Sequence, residues 1–183
     1  MYDTSQKGGD MKYFFISQDI SLPCCIAYRD FNIRGGRHLF LKQDADRIND
    51  MVFLYLTDSG REAKPDFIQR PVTMFSDRLK EVLEAYEPEL LFKNVMLIHK
   101  ENRLQYHYVH VLMEPIDVLS EKTVFYPNGV EQRVVIDGNK AKDHHIFLPA
   151  GIHREDPVIS LSVAESILRR RVTGICFEEV EVE

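Results

Sequence analysis

Apolar positions along the chain follow two periods, which predict short strands separated by two amphipathic helices. The strand candidates share a short apolar run bounded by turn-forming or charged residues, and they are residues 11–16, 51–56, 90–98, 104–113, 145–148 and 175–182. In the segment 104–113 both alternating faces are largely apolar, whereas a strand with one wet face would alternate more cleanly. This segment is therefore expected to be an interior strand, covered on both sides.

Two segments carry the helical period. After Ser76, apolar residues recur at positions 79, 82, 83 and 86, and charged residues occupy the opposite face. The hydroxyl of Ser76 is expected to cap this helix, and Pro88 marks its end. The second helix is expected over residues 161–171, with Ser160 as its cap and Gly174 as the terminating glycine. The residues predicted to face inward from the second helix are Val163, Ala164, Ile167 and Leu168.

Turn chemistry predicts how the middle of the chain folds back. Asn128-Gly129 lies between the apolar runs 124–126 and 133–136, and both residues tolerate positive φ, so a hairpin of those two runs is expected. Asp137-Gly138-Asn139 is predicted to turn the chain again before the next strand.

The two helix-strand units resemble each other in sequence. The matched positions are Ser76, Leu79, Leu83, Phe92 and Val95 in the first unit and Ser160, Val163, Ile167, Phe177 and Val180 in the second. The pattern favours a repeated packing unit, although any capped helix followed by a strand would show part of it.

These elements predict one α+β domain over residues 11–183, with a mixed or mostly antiparallel sheet and two short amphipathic helices. At 183 residues and 44% hydrophobic composition, the chain can bury one sizeable core. Residues 1–10 are polar and contain Gly8 and Gly9, which predicts a flexible leader.

Charge and cysteine content narrow the classes of function. The net charge of -6 argues against a nucleic-acid partner, and it suits either solubility or a basic partner. Cys24, Cys25 and Cys176 form no disulfide framework, and the N-terminus has no signal-peptide pattern, so a cytoplasmic location is expected. No apolar run reaches the roughly 18 residues of a membrane span, so membrane insertion is not expected.

The seven histidines invite a metal hypothesis, but their spacing predicts no metal site. His107 and His110 are expected on opposite faces of one strand, and the adjacent His144 and His145 should diverge in the same way. A long-range site that uses His99 or His153 with acidic residues stays open.

Other chemical motifs are also incomplete. Asp44, Asp46 and Asp50 resemble the start of a calcium loop, but Asn49 and Tyr55 replace the glycine and the closing glutamate that the loop needs. Neither a nucleophile elbow nor a phosphate-binding glycine loop is present. Cys176 stands between Ile175 and Phe177 and is expected to be a small core residue. No catalytic residue and no cofactor is therefore predicted.

The acidic end of the chain is the one candidate binding feature. Its members are Glu178, Glu179, Glu181 and Glu183. They could contact a basic protein partner, although charge runs at the end of a chain are most often simply solvated.

Several motifs resemble a bacterial family of immunity proteins from polymorphic toxin systems, long catalogued as a domain of unknown function. The motifs share a packing character, and they are Met11-Lys12-Tyr13-Phe14, Pro65-Asp66-Phe67-Ile68, Phe75 to Leu83, His144-His145-Ile146-Phe147, Ile159-Ser160 and Thr173 to Val180. The resemblance is strongest over residues 65–183 and looser before them. It implies a cytoplasmic, non-catalytic protein that binds and neutralises a cognate toxin domain.

Two other classes stay open from the sequence. A metal-dependent hydrolase would use the scattered histidines and acidic residues, and a regulatory or scaffold domain would hold a stable endogenous partner. A metal ion held by several of these side chains would favour the hydrolase.

Overall fold

The computed structural model describes residues 11–22, 28–29, 41–56, 64–69, 72–99 and 103–183. The predicted leader at residues 1–10 and the pair Cys24-Cys25 lie outside the described residues. No helix within these ranges is long and apolar enough to cross a bilayer.

The first part of the chain forms one helix, a 3-10 turn and seven strands in the described ranges. In chain order they are β1 (Tyr13–Gln18), β2 (Tyr28–Arg29), the 3-10 turn (Lys42–Arg47), β3 (Met51–Leu56), β4 (Phe67–Ile68), β5 (Met74–Ser76), α1 (Asp77–Tyr86), β6 (Leu91–His99) and β7 (Leu104–Leu112).

The second part adds shorter strands and two more helices. They are β8 (Pro115–Ile116), β9 (Val124–Phe125), β10 (Glu131–Arg133), β11 (Val135–Ile136), α2 (Gly138–Ala141), β12 (Ile146–Pro149), β13 (Val158–Ser160), α3 (Leu161–Arg169) and β14 (Ile175–Val182).

Most described strands form two six-stranded sheets. Sheet I has the order β11-β14-β1-β13-β12-β8, and sheet II has the order β2-β3-β6-β7-β5-β4. The pairs β11/β14, β8/β12 and β3/β6 are parallel, and the other pairs are antiparallel. The structure therefore confirms an α+β fold with mostly antiparallel pairing.

The pairing registers of the two sheets correspond, which confirms the helix-strand repeat. In sheet II, Tyr108 of β7 faces Ser76 of β5 and Val95 of β6. In sheet I, Tyr13 of β1 faces Ser160 of β13 and Val180 of β14. In each unit, a third strand lies between the two strands that flank the helix in sequence. In sheet II this strand is β7, which follows the unit along the chain, and in sheet I it is β1, which precedes it.

Backbone hydrogen bonds repeat in the same way. The N–H of Ser76 donates to the carbonyl of Asp66 at 2.8 Å, and the N–H of Ser160 donates to the carbonyl of His145 at 2.9 Å. The Tyr108 hydroxyl likewise donates to the carbonyl of Pro65 at 2.8 Å. In the second unit, the Tyr13 hydroxyl lies 3.3 Å from the carbonyl of His144 and 2.7 Å from that of Ala141.

Helices α1 and α3 pack against each other, and both sheets contribute side chains to the same central core. Its buried members include Phe75 and Val109 from sheet II, Ile16 and Ile159 from sheet I, and Leu83 from α1. The opposite faces of the two sheets carry separate apolar clusters. Strand β7 contributes to clusters on both faces of sheet II, as expected for an interior strand.

The two helices differ at their N-termini. Ser76 caps α1 as predicted, because its hydroxyl accepts the N–H of Leu79 at 3.3 Å. Ser160 occupies the N-cap position of α3, but its side chain makes no capping hydrogen bond. Its Oγ instead lies 3.0 Å from Nδ1 of His145. The prediction of a side-chain cap at Ser160 is therefore wrong.

The C-terminal half of α3 also departs from prediction. The helix ends at Arg169, and Arg171 takes a left-handed φ of 52°, so the helix is shorter than residues 161–171. Leu168 is 64% exposed and faces solvent. Gly174 has a φ of +81° but lies beyond the helix end, where the backbone passes close to Pro65. Glycine at this position therefore allows the backbone to pass close to Pro65 of the first repeat, because a side chain would overlap the proline.

The predicted hairpin exists with a different second strand. Strand β9 pairs with Glu131–Arg133, whereas Val135–Ile136 leaves the hairpin and pairs with β14. Only Gly129 of the turn pair has positive φ, and its N–H donates to the carbonyl of Tyr126. This geometry is typical of a three-residue loop with a glycine bulge. The turn predicted at 137–139 is the start of α2, and Asp137 accepts the N–H of Asn139 at 2.9 Å.

Candidate partner-binding site

The acidic end is built on β14, where the antiparallel partner β1 holds the strand extended. Each of the four glutamates forms an ion pair with a basic residue of the same chain. The pairs are Arg154–Glu178 at 2.7 Å, Lys12–Glu179 at 2.9 Å, Arg133–Glu181 and Lys122–Glu183. These carboxylates therefore do not form an isolated negative patch, and their contact with a partner stays a prediction.

A groove of about 380 Å³ lies beside three of these glutamates. One wall is β14 from Glu178 to Glu181, and the other is the segment from Glu131 to Val134. Phe15 and Arg154 also line it. The residues that line the groove include four glutamates and two arginines, so acidic side chains outnumber basic ones in the lining.

Arg154 contacts several residues in and around the groove. Its guanidinium lies 4.0 Å from the centre of the Phe15 ring and donates to Asp156 at 2.6 Å and to Glu178 at 2.7 Å. Burial acts to lower the pKa of Arg154, but hydrogen bonds to Glu178 and Asp156 outweigh burial and raise it. The Arg154 guanidinium therefore links Phe15 and Glu178, two other residues of the groove lining.

Glu131 ties the hairpin to the segment that carries Arg154. Its carboxylate accepts the backbone N–H of His153 at 3.0 Å and that of Arg154 at 2.9 Å. Burial acts to raise the pKa of Glu131, but the backbone N–H donors outweigh burial and lower it. A charged carboxylate is therefore favoured at this position.

The glutamates on β14 are also held in the charged form. The hydrogen bond from Arg154 lowers the pKa of Glu178, and the hydrogen bond from Arg133 lowers that of Glu181. The hydrogen bonds from Lys122 and then Ser120 lower the pKa of Glu183. All three side chains are thus ionised at neutral pH, and Glu178 and Glu181 bring negative charge to the groove lining.

The family model described as Immunity protein family (Imm11) matches residues 34–182. The chain belongs to the Imm11 immunity protein family. The match confirms the family suggested by the sequence motifs and extends the similarity into the N-terminal third. No curated protein matches the chain at a significant level.

In this Imm11 member, the described histidines serve packing and local hydrogen bonding. His107 lies between Asp77 at 2.7 Å and Asn94 at 3.0 Å, while His110 is buried on the other face of β7, 2.6 Å from the carbonyl of Thr73. The predicted divergence of this pair is confirmed. Burial lowers the pKa of His110 despite its hydrogen bond with the Thr73 carbonyl, which favours the neutral imidazole.

The other histidine pair also separates. His145 lies beside Ser160 and the Tyr86 ring, whereas His144 packs edge-on against Phe147. In the described part of this Imm11 chain, no three His, Cys, Asp or Glu side chains converge as metal ligands.

Cys176 is exposed, and the prediction that it is a core residue is wrong. In β14, Val180 is buried. Ile175, Phe177 and Val182 are partly buried, and the remaining positions are exposed. The sequence Ile175-Cys176-Phe177 looked like a buried run, because its neighbours are apolar. Cys176 lies on the same face of β14 as Val180, but the apolar cluster on that face covers Val180 and does not include Cys176.

Sequence reasoning missed Glu131 and Arg154 as members of the groove. They come from the hairpin and from the segment before β13, far in sequence from the acidic end. No local motif marks them. The excess of acidic over basic residues at the acidic end is the one sequence signal, because cations elsewhere in the fold can pair with such carboxylates.

Proposed function

We propose that this chain is a non-catalytic immunity protein that binds a cognate toxin domain in the cytoplasm and blocks its active surface. The observation that carries the proposal is membership of the Imm11 family over residues 34–182. An immunity protein acts by occupying a surface of the toxin, so it needs a shaped, charged surface and no reactive centre of its own.

The groove beside β14 is the surface best suited to this role. Strand residues of β14 and β10 form much of its lining, and hydrogen bonds of Arg154 with Glu131 and Glu178 link these two walls. The net negative charge favours a toxin surface rich in lysine and arginine. Such charge complementarity raises the rate of encounter and selects the partner.

Glu178, Glu179, Glu181 and Glu183 keep the role proposed from the sequence, with a refinement. Because each is already ion-paired, a basic partner would share or replace an internal cation. The exchange lowers the cost of removing the carboxylates from water, because a cation remains close in both states. Affinity from these groups should therefore be modest and should weaken at high salt.

The test is protection from the toxin domain encoded beside this chain's gene. Cells that produce the toxin domain should survive when they also produce the wild-type chain. Purified chain should also bind a catalytically inactive toxin domain, as measured by isothermal titration calorimetry. Full toxicity during co-production, with no binding in the calorimeter, would refute the proposed function.

A matched pair of variants separates the groove from the rest of the surface. Arg154→Met removes the cation that organises Phe15, Asp156 and Glu178, whereas Arg169→Met removes an exposed cation on α3 that pairs with Glu165. We expect Arg154→Met to weaken toxin binding at least about tenfold, as for an arginine anchor. Arg169→Met should leave the affinity within about twofold. Equal effects would place the interface elsewhere.

A further inference from the structure

In the part of the chain that the structure describes, one edge of strand β14 is only partly paired. On one side, β1 pairs with it from Ile175 to Val180. On the other side, β11 pairs only with Glu181 and Val182. Among the described residues, no strand pairs with that second edge between Ile175 and Val180. An unpaired edge of this kind is a template for another strand.

The direction of the backbone groups follows from one hydrogen bond. The N–H of Glu183 donates to the carbonyl of Ile136 in β11, so the backbone of residue 183 faces the β11 side. Strand residues direct their N–H and C=O groups alternately to either edge. The register between β1 and β14 runs without a shift, so Phe177 and Glu179 present their backbone groups to the open edge.

The repeat shows that a strand fits beside Glu179 and Val180, whereas Phe92, the counterpart of Phe177, lies before the residues that pair with β3. In sheet II, β3 lies parallel to β6 and pairs with it from Asn94 to Ile98. Val95 of β6 corresponds to Val180 of β14, because each faces the tyrosine of its own unit. The equivalent strand in sheet I, β11, begins only opposite Glu181. Asn94 and Val95, the first two residues that pair with β3, correspond to Glu179 and Val180. Beside these two residues of β14, the described structure has no strand equivalent to β3.

The charged groove lies at this gap. The residues before β11, from Glu131 to Arg133, pair with β9 instead of continuing along β14. The groove is lined by that diverging segment and by Glu178 to Glu181. A strand that enters here would meet main-chain partners on one side and an excess of carboxylates along its path.

We propose that the toxin docks by β-strand addition, with an extended segment rich in lysine or arginine pairing with the open edge of β14 at Phe177 and Glu179. The inference rests on the proposed function and specifies its interface. Main-chain hydrogen bonds supply affinity in this mode, and side-chain contacts supply specificity. The acidic groove selects a basic strand over a neutral or acidic one.

Hydrogen exchange on the wild-type chain tests the proposal without any mutation. In the free protein, the amides of Phe177 and Glu179 should exchange quickly, while those of Glu178 and Val180, which face β1, should exchange slowly. Addition of the inactive toxin domain encoded beside this gene should slow exchange at Phe177 and Glu179 at least about tenfold. Binding with no change at these two amides would overturn strand addition.

A proline variant provides the second measurement. Glu179→Pro removes an N–H that faces the open edge and leaves the β1 pairing intact, because proline is tolerated at edge positions of this kind. Glu179→Ala is the matched control, since it loses the same carboxylate and the ion pair with Lys12 but keeps the N–H. We expect Glu179→Pro to weaken binding at least about tenfold and Glu179→Ala less than about threefold.

The outcomes separate the two proposals. Equal affinities for the two variants would overturn strand addition while leaving the immunity function in place. A wild-type chain that neither binds nor protects would overturn the immunity function and the docking mode together. Circular dichroism shows whether Glu179→Pro is folded, and the exchange result on the wild-type chain decides the proposal if it is not.

Discussion

Replacing Ser76 with alanine, and Ser160 with alanine in parallel, measures how differently the two repeats use an equivalent hydroxyl. Ser76 donates to Oδ1 of Asp66 at 2.6 Å and also accepts the N–H of Leu79 at 3.3 Å. Within the described residues, the Ser160 side chain contacts Nδ1 of His145 at 3.0 Å and makes no capping hydrogen bond. The same substitution should therefore have unequal effects.

The magnitude follows from these contacts. Loss of an N-cap costs about 0.5–2 kcal/mol, and the long 3.3 Å bond places Ser76 in the lower half of that range. Asp66 is only 8% exposed, so loss of a donor to its carboxylate costs about 1–3 kcal/mol more. We expect Ser76→Ala to lower the free energy of unfolding by about 2–4 kcal/mol, and Ser160→Ala by about 1 kcal/mol.

Urea denaturation followed by circular dichroism gives both values, and an unchanged slope with denaturant would show that the unfolded states are comparable. Ser162→Ala is a suitable control, because that side chain is exposed on α3 and should change stability by less than about 0.5 kcal/mol. Equal losses at Ser76 and Ser160, or a larger loss at Ser160, would refute the reasoning.

Two further predictions concern Gly174 and Glu131. Gly174→Ala should lower the free energy of unfolding by more than about 2 kcal/mol in the same assay, because the position has a φ of +81° and a Cβ would overlap Pro65. The pKa of Glu131 is lowered in the folded protein from an ordinary value of 4.5. The stability that it contributes is therefore fully present above about pH 4.5 and is lost as the pH falls through the folded pKa. Denaturation curves between pH 6 and 3 should show a smaller loss for Glu131→Gln than for wild type, and equal losses would contradict the assignment.

Elements with complete local signals could be predicted from the sequence. The capping serine, the apolar period and the following proline all describe α1, and the structure places the helix from Asp77 to Tyr86 with Ser76 as its cap. The bounds of β3 and β14 also match their apolar runs, from Met51 to Leu56 and from Ile175 to Val182.

Predictions failed where a distant partner decides the outcome. Ser160 has the same local pattern as Ser76, but His145 takes its hydroxyl, and no local signal indicates that competition. The sequence from Arg133 to Ile136 predicts one strand. In the structure, Arg133 pairs with β9, whereas Val135–Ile136 pairs with β14. In both cases a tertiary contact overrides the local preference.

The candidate site shows the same division. The acidic residues of β14 were visible as a run in the sequence, whereas their four cationic partners come from Lys12, Lys122, Arg133 and Arg154. Pairing between such distant positions depends on the fold, so the groove itself could not be inferred from spacing. The excess of acidic residues predicts a negative surface charge, but it does not predict the shape of the groove.

The placement of β1 between β13 and β14 has a consequence for biosynthesis. Tyr13–Gln18 pairs with residues 175–180, so sheet I is complete only after β14 has been synthesised. Contacts this distant in sequence slow folding, because a long loop must close before they form. A copy without β14 would leave β1 paired only with β13 in sheet I.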